Sequence, residues 1–221
     1  MRKLLLGATA LLAATALWGS GANATPTISL GWSQTAGSPT TVATSNTGTL
    51  NFSGALGTFS SNIVTAIGTP PLPEPAFQTT SIDVKTVQPG PQTLYVWITE
   101  QGLTSPTGIN NFLSGFTANA FTGAVDFVKE FTYVDPSNGL YGGTQLANAM
   151  FKTAPASSSS IDPTPLLGPG AYSETVEYIV SMNGPGSAND TISLNSVPEP
   201  TSLALLGAAL AGMGLIRRRL A

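Results

Sequence analysis

Residues 93–100 read TLYVWITE, and the way these side chains must point decides what kind of fold the chain can build. In an extended strand, successive side chains project to opposite faces. Leu94, Val96 and Ile98 then share one face, while Tyr95 and Trp97 share the other. Both faces are apolar, the pattern of a central strand covered on two sides, and Trp97 is expected in the core. The stretch SIDVKTV at 81–87 differs. Ile82, Val84 and Thr86 line one face and Asp83, Lys85 and Val87 the other, so one face of that strand is wet.

Outward from this pair, short apolar runs bounded by Thr, Ser, Gly and Pro recur at 27–32, 49–52, 60–67, 80–87, 93–101, 124–134, 172–182 and 190–197. About eight such runs predict an all-β domain, a β-sandwich. IGTPPLPEPAF at 67–77 carries four prolines and cannot join a ladder throughout, so it is expected as an extended surface connection. TAPASSSSIDPTPLLGPG at 153–170 has no apolar pattern to bury and is expected as a second long, mobile loop. Asp135-Pro136-Ser137-Asn138-Gly139 predicts a turn with positive φ at Asn138-Gly139. A helix is expected only at 109–119.

The two ends read as targeting segments. Arg2 and Lys3 precede the apolar run 4–18, and Ala22-Asn23-Ala24 forms an A-x-A cleavage site with Ala22 and Ala24 at its small positions. The apolar run would rise only ~22 Å as a helix, short of a bilayer core of about 30 Å, so residues 1–24 read as a cleaved export signal. Residues 25–196 then form the exported domain. They hold three lysines, no arginine and ten acidic residues, a net charge of −7. That surface repels phosphate backbones, which excludes nucleic acid as a partner.

The chain has no cysteine and no histidine. Disulfides, thiolate chemistry, the Ser-His-Asp arrangement and the HExxH zinc helix are all excluded. Catalysis would fall to carboxylates alone. Glu174 and Glu177 are three apart and face opposite ways on a strand, and Asp126 and Glu130 would stand ~13 Å apart on one face, too far for a paired glycosidase site. No dense D-x-D-x-D-G loop is present for calcium. No cofactor and no enzymatic activity are expected. Aromatic rings could carry a sugar platform, and Trp32 and Tyr141, beside Gly31 and Gly142 in loop-like settings, are the candidates for glycan contact.

The tail is the most specific feature. Val197-Pro198-Glu199-Pro200 precedes sixteen uncharged residues at 201–216, then Arg217, Arg218 and Arg219. As a helix, 201–216 would be ~24 Å long, enough to span with some thinning, and the arginines would hold the end on the cytoplasmic side as a stop-transfer element. Residues 197–221 resemble the PEP-CTERM sorting signal of exported proteins in Gram-negative bacteria that make extracellular polysaccharide. The resemblance implies recognition of Pro198, Glu199 and Pro200 by a membrane-embedded exosortase, with the exosortase and the membrane as partners during sorting. It also implies residence at the cell envelope, cell surface or extracellular matrix. The expected role is structural or adhesive in a polysaccharide layer, with a carbohydrate-binding module and a carboxylate-dependent hydrolase as the alternatives. Pro73-Glu74-Pro75 repeats the three letters without an apolar run behind it.

Overall fold

Two strands far longer than the rest organise the molecule. The computed structural model describes residues 25–197. The export segment with Ala22 and Ala24, and the tail with Pro198, Glu199, Pro200, residues 201–216, Arg217, Arg218 and Arg219, lie outside the described residues. The strands are β1 (Thr27–Ser33), β2 (Thr40–Ser45), β3 (Thr49–Leu56), β4 (Phe59–Ile67), β5 (Phe77–Thr86), β6 (Gln92–Leu103), β7 (Asn111–Asp135), β8 (Thr144–Phe151), β9 (Ala156–Pro163) and β10 (Tyr172–Val197). β7 and β10 have 25 and 26 residues and pair antiparallel from end to end, Ser173 with Asp135 and Val197 with Asn111.

This ribbon is folded in half. Ser114 and Thr132 lie on the same strand, eighteen residues apart, yet their hydroxyls are hydrogen-bonded at 2.7 Å. A straight strand would separate them by ~60 Å. The corner sits where the register slips between Met182 and Gly186 opposite Val125 and Gly123. Gly123 has φ +67°, and a Cβ there would lie 2.3 Å from the Pro185 carbonyl oxygen, so only glycine lets the two strands turn together.

Each half of the ribbon anchors one layer. Sheet I runs β2-β1-β6-β10-β7-β8, using residues 172–182 of β10 and 125–135 of β7. Sheet II runs β3-β4-β5-β10-β7-β9, using the other halves. The inner faces meet in one core that includes Leu30, Trp32, Val96 and Val176 from sheet I and Phe77, Ile82, Phe116 and Ile192 from sheet II. A second, smaller cluster of Leu103, Phe112, Val134, Leu167, Tyr172 and Leu194 closes the end where β10 finishes. Burying each such side chain contributes about 1.5–3 kcal/mol, enough in sum to hold a cysteine-free domain.

The all-β expectation holds, and no helix occurs among the described residues. The helix expected at 109–119 is the start of β7. Ile109, Phe112, Leu113 and Phe116 sit at helical spacing, but Phe112, Ser114, Phe116 and Ala118 are buried at a period of two while Leu113 stays outside. Pairing on both flanks decides it. Part of the serine-rich segment expected as a mobile loop is β9, whose serines pair with Ser114–Thr117 of β7 in an uninterrupted register. β2 and β9 each pair on one side only and carry few apolar residues, so the periodicity of burial that reveals a strand is weak in them, whereas β8, also paired on one side, buries Ala147, Ala149 and Phe151 in alternation. The turn forms, with positive φ at Asn138 but not at Gly139. Asp135 accepts from the Ser137 N–H, the Ser137 hydroxyl and the Gly139 N–H, and Asn138 has φ +60°. Those donors, Ser137 first, hold the Asp135 carboxyl below its ordinary range.

Candidate functional site

The outer face of sheet I is aromatic, and the strand register shows how. Trp97 of β6 lies beside Glu177 of β10, which lies beside Phe131 of β7 and then Asn148 of β8. The rows on either side are Tyr95, Ile179, Lys129, Met150 and Thr99, Thr175, Tyr133, Gln145. Tyr95 stacks on Trp97 with ring centroids 5.8 Å apart, and Phe131 stacks on Tyr133 at 6.2 Å. Tyr95, Phe131 and Tyr133 are partly exposed, whereas Trp97 is buried, as expected. Trp97 is only 5% exposed but lies outside both core clusters, so it is buried by its neighbours on this face rather than by the opposite sheet.

Glu177 sits at the centre of this surface. The Tyr133 hydroxyl donates to its Oε2 at 2.7 Å. Burial raises the Glu177 carboxyl above its ordinary range and the Tyr133 bond opposes that rise, while burial and the same bond push the Tyr133 hydroxyl up. The result is an oriented, half-buried carboxylate between aromatic rings, with the exposed amides of Asn148 and Gln145 at the β8 edge. Such a surface offers stacking faces and hydrogen-bond acceptors and donors together.

Tyr141 closes one side of the face. Its N–H donates to Thr99 Oγ1 at 3.1 Å, and its hydroxyl donates to Thr41 Oγ1 at 2.8 Å. Its ring lies over Gly31, where a Cβ would come within 2.7 Å of Cζ. That close approach explains the glycine in β1. Trp32, the other residue expected to touch glycan, is in the core at 1% exposure, with its ring edge-to-face on Phe52 at 5.2 Å. Even-numbered positions of β1 point inward, and Trp32 pairs with the inward Val96, so its ring is not available to a ligand.

The partly exposed rings that replace it, Tyr95, Phe131 and Tyr133, were visible at alternate positions of TLYVWITE and FVKEFTYV. The second apolar face of residues 93–100 suggests a second covering layer. What covers it instead is its own row of neighbours.

The carboxylates converge elsewhere. Glu100 and Glu174 are cross-strand partners, both fully buried, beneath the proline-rich connection. Glu100 accepts the Thr69 N–H at 2.6 Å. Burial pushes its carboxyl up to about 7, and burial with the charges of Glu100 and Glu74 raises Glu174 well above its ordinary value. Glu74 accepts the N–H groups of Thr104 at 2.9 Å and Ser105 at 2.7 Å, so the internal Pro-Glu-Pro ties its loop to the end of β6. Between the two halves of the ribbon, Glu130, Asp190 and Tyr178 form a second buried group, with Asp190 within reach of both other side chains. Burial, then the Asp190 charge, pushes Glu130 up to about 9, and burial pushes Asp190 up to about 7. These four carboxyls have 0% exposure, so no substrate reaches them.

Fold and site together define a two-layer β-sandwich with one aromatic and one polar outer face. Residues 196–219 match the PEP-CTERM protein-sorting motif, beginning at the last two residues of β10. The chain therefore carries a PEP-CTERM protein-sorting motif, which marks exported proteins sorted by an exosortase. No curated protein matches it in sequence. Among solved structures, it is similar to TmCBM61 in complex with β-1,4-galactotriose (14% identity, 63% of this chain and 87% of the other, TM-score 0.32). It is also similar to the family 11 carbohydrate-binding module of Clostridium thermocellum (10% identity, 77% and 98%, TM-score 0.31) and to the epithelial adhesin 6 A domain of Candida glabrata (12% identity, 80% and 82%, TM-score 0.32). TM-scores this low do not define a shared topology.

Proposed function

We infer that this protein is a polysaccharide-binding, non-enzymatic component of the cell surface or extracellular matrix of a Gram-negative bacterium. The observation that carries the reading is the group of partly exposed rings Tyr95, Phe131 and Tyr133 around Glu177, with the exposed Asn148 beside them, on the outer face of sheet I. Sugar rings stack their C–H faces on such side chains while their hydroxyls bond to a fixed carboxylate and amides. The sorting motif supports delivery to the compartment where polysaccharide lies, with residues 201–216 holding the chain in the membrane until an exosortase processes it. A structural or adhesive role follows from that placement. A hydrolase reading loses its support because the acids that the fold pairs are sealed inside the sandwich.

The test has two arms. Purified protein is run through gels containing neutral and uronic-acid polysaccharides, and retardation in at least one supports the reading while none in any refutes it. In cells, replacing Pro198, Glu199 and Pro200 by alanine leaves the C-terminal peptide at its unprocessed mass if those residues are the recognition element. The same change at 73–75 is a poorer control than the sequence suggests, because it removes the Glu74 acceptor of Thr104 and Ser105.

A further inference from the structure

Eight large hydrophobic side chains stand exposed among the described residues, and four of them gather at one end of the sandwich. They are Ile109 at 61%, Leu113 at 36%, Ile161 at 58% and Leu166 at 69%. Leu113 pairs with Asn195 of β10 on one side and with Ile161 of β9 on the other. Asn111 pairs with Val197 and with Pro163. The bridge from Gly108 to Leu167, with reciprocal bonds of 2.8 and 2.9 Å, carries this ladder past the end of β10. Ile109 is two residues before Asn111, the partner of Val197, so it lies in the bend just beyond that end of the ladder, on the side from which the tail departs. The patch is firmly built. Phe112, Leu167 and Leu194 are buried directly behind it in the second core cluster.

The chain that leaves this end is short before it becomes apolar. Only Pro198, Glu199 and Pro200 separate Val197 from the uncharged run 201–216, and three residues reach at most ~10 Å. Whatever holds 201–216 must therefore lie next to Ile109 and Leu166. We propose that this end of the sandwich is a membrane footing, with Ile109, Leu113, Ile161 and Leu166 seated in the interfacial layer of the lipid surface that holds the tail. The proposal rests on the reading of 201–216 as membrane-inserted before processing.

The contact is apolar rather than electrostatic. Residues 105–113 and 161–170 contain no lysine or arginine and one acid, Asp162, and the exported domain as a whole is acidic. Zwitterionic lipid suffices, and salt does not release the contact. In the unprocessed protein the footing holds the sandwich against the membrane and keeps Pro198, Glu199 and Pro200 at the interface, where a membrane-embedded processing enzyme works.

The absence of cysteine makes the test clean. Single variants Ile109→Cys and Leu166→Cys replace side chains that are already exposed, and Val87→Cys is the control, 74% exposed next to Thr86, which pairs with Gly186 far from Val197. Each full-length variant carries a nitrobenzoxadiazole label and is reconstituted into phosphatidylcholine vesicles with a doxyl-lipid quencher. The expected result is quenching at 109 and 166 at least twice that at 87, unchanged by salt. A chain that floats with the vesicles but shows equal quenching at all three sites overturns the footing alone. A chain that does not float overturns the inserted tail and the footing with it. Shielding at 109 and 166 that grows with protein density and is not quenched by doxyl lipid also overturns it, in favour of a contact between two copies.

Discussion

The two outer faces of the sandwich are made by the same two strands, and they differ completely. On sheet II the ribbon shows mostly small polar side chains that satisfy one another, with Leu113 as the apolar exception near its end. Asn119 Nδ2 donates to Asn189 Oδ1 at 3.0 Å and to Thr191 Oγ1 at 2.9 Å, and Asn189 Nδ2 donates to Ser81 Oγ at 2.7 Å. On sheet I the equivalent positions carry Phe131, Tyr133, Ile179 and Glu177, beside Tyr95 and Trp97. Inward, both halves do the same work, with Val176 and Val128 on one side and Ile192 and Phe116 on the other. The polar ladder shows that this ribbon needs no outer aromatics to fold. The rings of sheet I therefore answer to something outside the fold, and a ligand face is the reading that uses them.

The largest expected effect separates what the shared interior demands from what either face demands. Glu130, Asp190, Glu100 and Glu174 all have carboxyls raised by burial, so the folded protein keeps protons that the unfolded chain has already lost. Stability is then highest near pH 4 to 5 and falls as pH rises, at about 1.4 kcal/mol per pH unit for each group still protonated only in the folded state. For Asp190 and Glu100 the fall continues to about pH 7, and for Glu130 to about pH 9. Thermal melts from pH 5 to 9 should show a steadily declining midpoint, with a shallower slope above pH 7 in Glu130→Gln. A midpoint that is flat or rises across this range would mean that the interior acids are ionised and paired in a way the structure does not show.

The second effect bears on the faces themselves. The pair Tyr95→Ala with Phe131→Ala should weaken polysaccharide retention at least tenfold, about 1.4 kcal/mol, because each removes one ring of a stacked pair. On the opposite face, Asn119→Ala with Thr191→Ala should leave retention unchanged while costing about 1 kcal/mol of stability for the lost side-chain bonds. Equal loss of retention in both pairs would erase the distinction between the faces.

Sequence reading reached this contrast only in part. Alternation in TLYVWITE correctly placed Tyr95 and Trp97 opposite Leu94 and Ile98, but alternation cannot say whether a second apolar face meets another layer or stays outside. That depends on which strands flank it, and the alternation within one strand does not say which those are. Trp32 was misplaced for a related reason. Gly31 beside it looks like a loop signal, yet the glycine is there to admit the Tyr141 ring. The length of β7 and β10 was hidden because Gly123 and Gly186 read as breaks between strands, whereas they are the corner of one continuous ribbon. The internal Pro-Glu-Pro was legible as a loop but not as a fastening, since Thr104 and Ser105 lie thirty residues away.

The smallest expected effect is the most specific. Tyr133→Phe keeps the ring and its stacking on Phe131 but removes the hydroxyl that donates to Glu177. Without that bond, which favours the charged form, the carboxyl of Glu177 rises further above its ordinary range. While the carboxylate is charged in both proteins, retention should change by no more than about twofold, the order expected for a bond that orients rather than carries the ligand. On acidification the two should part. A protonated Glu177 has lost an acceptor for sugar hydroxyls, and the variant reaches that state at higher pH, so its retention should begin to fall while wild type still binds. Retention measured at half-unit steps from pH 8 to 4 reads this directly. Superimposable profiles would show that Glu177 is not part of the contact and that the aromatic rings of sheet I act without the carboxylate between them.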